Sequence, residues 1–77
     1  MHVVITKVDE IFFDGEAESA TFPATSGQMT VLVNHEPLIT TLKRGTIVVR
    51  SKDEGEKSIE IEGGVLEVRH DGATVIL

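Results

Sequence analysis

The sequence predicts an all-β domain, a sandwich or flattened barrel, on three observations. Apolar residues recur with period two along nearly the whole chain, as on a pleated strand with one face buried. Val, Ile and Thr dominate those runs, and their stiff branched side chains suit a pleated surface. Turn signals separate the runs at Asp14-Gly15, Ser26-Gly27, Arg44-Gly45, Asp53-Glu54-Gly55 and Asp71-Gly72. Their spacing of about 8 to 18 residues is that of sandwiches and barrels.

Nine strands follow in order. The first, 2–8, alternates Val3 and Ile5 with Val4 and Thr6, and a short second strand covers 10–13. The third, 16–23, ends on Pro23, which belongs at a strand end or edge because proline gives no ladder donor. In 28–33, Met29, Val31 and Val33 alternate with Thr30 and Leu32. Pro37 opens 37–42 and pushes Glu36 towards extended backbone, so His35-Glu36-Pro37 forms an extended corner. Strand 45–51 sets Ile47 and Val49 against Val48 and Arg50. Strand 56–62 has the clearest alternation, with Ile59 and Ile61 between Ser58, Glu60 and Glu62. Strands 64–69 and 73–77 complete the chain. Gly63-Gly64 lies between two strand-like runs with no polar turn residue beside it. It reads as a bulge, or a bend carrying the chain from one sheet to the other, before a backbone approach site for a partner.

Residues 1–77 make one domain. A chain of this size buries roughly 60–65% of its unfolded surface, so its stability is modest. No cysteine is present, which excludes disulfides and thiolate metal sites and fits a reducing compartment. The net charge of −6 and the three aromatic residues, all Phe, argue against nucleic-acid binding. The first ten residues lack the apolar core of a signal peptide, and no apolar run is long enough to span a bilayer. At a membrane, another subunit would hold this domain in place.

Candidate chemistry is sparse. His2, His35 and His70 have no metal-ligand spacing, and surface histidines explain them better. The acidic pairs and clusters fall on turns or on the outer phase of strands, which makes them a solvated face rather than paired catalytic carboxylates. No nucleophile elbow, phosphate-cradling loop or dinucleotide fingerprint occurs. Val4, Leu32 and Val48 fall on the polar phase of their strands, and gathered into one patch they would mark a partner surface.

The order of motifs resembles the amino-terminal β-sandwich of the F-type ATP synthase epsilon subunit, the delta subunit of mitochondria. Phe13-Asp14-Gly15, Ser26-Gly27, His35-Glu36-Pro37-Leu38-Ile39-Thr40, Lys43-Arg44-Gly45, Gly63-Gly64 and Ala73-Thr74-Val75 stand where that family has its successive motifs. The series runs through essentially all 77 residues. The resemblance implies a ten-stranded sandwich or flattened barrel in the central stalk. That domain would be a non-catalytic coupling element without cofactor or metal, docked on the gamma subunit and on the polar loops of the rotor c-ring. Leu32, Asn34, His35 and Val48 would face gamma, and Thr25, Ser26, Gly27 and Gln28 the ring. The protein would be peripheral, on the cytoplasmic face of a bacterial inner membrane or its matrix or stromal equivalent.

Four departures bear on those surfaces. Thr30 replaces a family glycine, and Val33-Asn34 replaces Pro-Gly ahead of the histidine. Asn34 preserves the bend if it takes positive φ. Gln28 stands for the acidic residue of the ring-facing loop, and Val48 for a frequent arginine or polar residue. The family's carboxy-terminal helical hairpin, with its inhibitory and ATP-sensing roles, is not expected in a chain ending at Leu77. Two other readings remain: a β-sandwich interaction module for an unrelated partner, and a small hydrolase or metal module built on His35 and Glu36.

Overall fold

A computed structural model describes all residues from Met1 to Leu77. It contains nine strands: β1 (His2–Lys7), β2 (Glu10–Glu16), β3 (Ser19–Ala24), β4 (Gly27–Leu32), β5 (Leu38–Leu42), β6 (Gly45–Ser51), β7 (Gly55–Ile61), β8 (Gly64–Arg69) and β9 (Gly72–Ile76). The hydrogen-bonded order is β2-β1-β9-β8-β5-β3-β6-β7, with β4 on the free side of β3. All ladders are antiparallel except β1–β9.

Two layers follow from this order. The first is β2-β1-β9-β8-β5 and the second is β4-β3-β6-β7. Strand β3 joins them: Ser19, Ala20 and Thr21 pair with β6, whereas Ala24 pairs with Leu42 of β5. Pro23 lies at this changeover, where the ladder on that side is interrupted, so its missing N–H breaks no bond there. Its carbonyl accepts from Lys43 N–H at 2.9 Å. The resemblance implied ten strands; there are nine, and one continuous strand, β3, serves both layers.

Alternation fills the space between the layers. Val3 and Ile5, Ala20 and Phe22, Ile47 and Val49, Leu66 and Val68, and Ala73 and Val75 are all buried. At about 25 cal/mol per Å² of apolar surface, these side chains are the main stabilising term for so short a chain.

The structure corrects the sequence reading in two places. Asp14-Gly15 is not a turn: both residues lie within β2, opposite Val4 and Val3. Gly15 packs beside the Phe13 ring, 3.6 Å from where a Cβ would stand, an ordinary packing distance. The chain turns instead at Ala17 and Glu18. Val33 does not continue the alternation of β4, since the strand ends at Leu32 and Val33 is exposed in the turn.

Gly63 and Gly64 form the bend that carries the chain from β7 in the second sheet to β8 in the first. Gly64 has φ of 157°, and a Cβ there would stand 2.8 Å from the Ile76 carbonyl oxygen. A side chain fits neither the dihedral nor the space.

Candidate docking surface

β4 links the two groups of residues singled out in the sequence. Leu32 is its last residue, and the corner 33–37 follows. Gly27 and Gln28 are its first two, and Thr25 and Ser26 are the turn before it. The groups therefore lie at opposite ends of one six-residue strand, roughly 17 Å apart at the usual rise.

Three of the four residues expected to face gamma come together. Leu32 pairs with Ser19 and Val48 pairs with Thr21, two residues along the same face of β3. Both side chains point outward, since Val31, Ala20, Ile47 and Val49 point into the core. Leu32 is 58% exposed and Val48 is half-buried. Between them Thr21 is buried at 7%, hydrogen-bonded to Thr30 Oγ1 at 3.0 Å and accepting from Arg50 at 3.3 Å. Arg50 is held in turn by Glu56 at 3.2 Å. Asn34 extends this edge with φ of 66°, the bend its substitution for glycine requires. Val4 belongs to the other sheet, opposite Asp14 and Thr74, and does not join the patch.

His35 occupies the corner but forms no site with Glu36. Its Nδ1–H donates to the Glu36 backbone carbonyl at 2.8 Å, which fixes the ring against its own turn. No three His, Asp or Glu side chains are grouped to hold a metal ion.

The turn at the far end of β4 is tied to β5. Thr25 N–H donates to the Thr41 carbonyl at 3.0 Å, and the two hydroxyls meet at 3.0 Å. Thr25, Ser26 and Gln28 are exposed. The backbone N–H of Lys43 bonds Pro23 at the end of β3, and the Arg44 side chain is paired with Glu62 at 3.7 Å. The turn is thus an exposed loop on a braced base.

The sequence reading missed a second apolar set. Across the outer face of the first sheet, Ile11, Thr6, Ile76, Val65 and Thr41 stand opposite one another in one row. Ile11 is 64%, Ile76 58% and Val65 44% exposed. Its cause is a register shift between Ile5 and Thr6: Ile5 faces Phe13 but Thr6 faces Ile11, leaving Phe12 as the extra residue of a bulge. The alternation of β2 breaks there, and Ile11 joins the outer face. The run Ile11-Phe12-Phe13 was the available signal, since three consecutive apolar residues do not fit an uninterrupted period of two.

Comparison with known proteins agrees with this architecture. The chain spans about half the length of the curated relatives it matches. It is 38% identical over 76 residues to the ATP synthase epsilon chain of Bordetella avium, covering 99% of this chain and 54% of that one. It is 39% identical over 77 residues to the epsilon chain of Rippkaea orientalis, covering 100% and 56%. In fold it is similar to a chain of the Euglena gracilis mitochondrial ATP synthase, solved as OSCP/F1/c-ring, with TM-score 0.87 and 24% identity over 96% of this chain and 48% of that one. A chain of the Tetrahymena thermophila mitochondrial ATP synthase central stalk and c-ring gives TM-score 0.82 at 11% identity, covering 97% and 60%. These two likenesses speak for the fold. The sequence profile described as ATP synthase, Delta/Epsilon chain, beta-sandwich domain matches residues 1–77, and the chain belongs to that family.

Proposed function

We propose that this domain is a non-catalytic coupling element of the central stalk of an F-type ATP synthase. It docks on gamma through Leu32, Asn34, His35 and Val48 and meets the rotor c-ring through Thr25, Ser26, Gly27 and Gln28. The domain transmits rotation as a rigid body and performs no chemistry. It sits peripherally on the side of the membrane where the catalytic head lies, the cytoplasmic face in a bacterium.

The carrying observation is the whole-length family match, joined to two surfaces at opposite ends of β4. A spacer between two partners needs two separated contact regions and a braced connection between them. Here the connection is a strand paired with β3 through six residue pairs. Co-purification with the cognate gamma subunit tests the reading. Binding at micromolar concentration, weakened by changes at Leu32 or His35, supports it; no binding at that concentration overturns it.

A second reading, an interaction module for an unrelated protein partner, draws on the exposed row of Ile11, Ile76 and Val65, which lies away from Leu32. No gamma binding by the unsubstituted chain, together with a different partner whose binding is lost in Val65→Glu and kept in Leu32→Glu, would favour this second reading.

A further inference from the structure

We propose that His2, Asp14 and Glu16 form a pH-responsive latch at the point where the chain crosses from the first sheet to the second. His2 stands opposite Glu16 in the β1–β2 ladder. Its Nδ1 lies 3.0 Å from Glu16 Oε2 and its Nε2 lies 2.7 Å from Asp14 Oδ1. Both ring nitrogens thus face carboxylate oxygens. Ionised carboxylates only accept, and a neutral imidazole carries a single N–H. Only the imidazolium satisfies both partners; on deprotonation one carboxylate is left facing a lone pair.

The position of this cluster gives the titration a consequence. The residues after Glu16 are the crossing itself, where Ala17 N–H donates to the Met1 carbonyl and Glu18 N–H to the Arg50 carbonyl, each at 2.8 Å. The first bond ties the crossing to β1 and the second ties it to β6. The same residues line a shallow groove of about 190 Å³ in which Glu16, Glu18, Asp53 and Glu54 stand with Lys52, and Glu54 is paired with Lys57 at 3.2 Å. Two further groups face the latch. The Met1 amino group lies 3.6 Å from Glu16, and at the β8–β9 turn Asp71 accepts the His2 N–H through its carbonyl while its carboxylate lies 3.7 Å from Arg69. Neutral His2 therefore leaves uncompensated negative charge against an already acidic groove, and the crossing loosens.

The bond to Glu16, and after it the bond to Asp14, raises the His2 imidazole above its ordinary value. The latch is thus closed at lower pH and opens on the alkaline side of an ordinary histidine.

Amide hydrogen exchange of Ala17 and Glu18, followed by NMR in the 77-residue chain and corrected for intrinsic base catalysis, tests this. In the unsubstituted chain, protection of both amides should fall several-fold as the His2 ring titrates, with the same midpoint. In His2→Gln, protection should not change over that range. The ring midpoint should drop in Asp14→Asn and in Glu16→Gln. Protection that stays constant through the ring midpoint overturns the proposal, as does a ring midpoint that keeps its unsubstituted value in both carboxamide variants. Should His2→Gln fail to fold, Glu16→Gln makes the same comparison, with its amide transition moved to the lower ring midpoint.

Discussion

Leu32 and Val48 flank β3 on the outer face of the second sheet, Leu32 opposite Ser19 and Val48 opposite Thr21. Residues sixteen positions apart in sequence thereby form one surface, with the buried hydroxyl of Thr21 between them. If gamma binds there, Leu32→Glu places an unpaired carboxylate in the contact. Binding measured by calorimetry should weaken about tenfold or more, the effect of one well-buried interface residue. The same change at exposed Ile39, on the other sheet, should leave binding as it was.

His35 is held by its own turn rather than by the core, through the bond from Nδ1 to the Glu36 carbonyl. His35→Ala should shift stability by no more than about 0.5 kcal/mol. It should nevertheless weaken co-purification with gamma. Far-UV circular dichroism is the suitable stability probe, because the chain has no Trp or Tyr.

Ile47 is fully buried between the layers. Ile47→Val removes one methylene and should cost about 0.5–1.5 kcal/mol in urea denaturation. Ile39→Val removes the same group from a side chain that is 73% exposed and should cost close to nothing.

Gly64 combines φ of 157° with an Ile76 carbonyl 2.8 Å from the position of a Cβ. Gly64→Ala should destabilise the domain by roughly 1–3 kcal/mol, as residues held in sparsely populated backbone regions do. The bend joins the sheets, so the loss should appear as a lower midpoint of the whole transition rather than as local fraying.

The direction of the His2 shift sets a pH dependence of stability. The folded-state value is raised, so the folded chain holds the proton more tightly than the unfolded chain does. The contribution is fully present below the unfolded imidazole value and is lost as pH rises through the folded one. The difference in thermal midpoint between the unsubstituted chain and His2→Gln should therefore shrink as pH rises through that interval. A difference that grows with pH would contradict the assignment.

Much of the fold was legible in the residues, and the limits have identifiable causes. All nine strands stand in the predicted order, because a period of two is unambiguous where one face is buried, as at Ile59 and Ile61. The outer phase of Leu32 and Val48 followed from the same alternation, and the positive φ of Asn34 from its residue type. Asp14-Gly15 misled because the same dipeptide occurs in tight turns and inside strands; only its cross-strand partners, Val4 and Val3, decide between them. The row Ile11, Ile76 and Val65 depends on which strands become neighbours, and a bulge at Phe12 aligns it. Strand neighbours are non-local information that alternation does not carry.

The parallel pairing of β1 with β9 has a consequence for how the chain comes to be folded. Val3 lies beside Ala73 and Ile5 beside Val75, seventy residues apart in each case. The β1–β2 pairing is local in sequence, whereas the other edge of β1 has no partner until β9 has been made. Contacts of such long sequence separation make folding slow and leave an exposed edge able to pair with a neighbouring chain. The final five-residue strand is therefore what seals the first, and a polypeptide interrupted before Gly72 presents an unpaired β1 to whatever strand it meets.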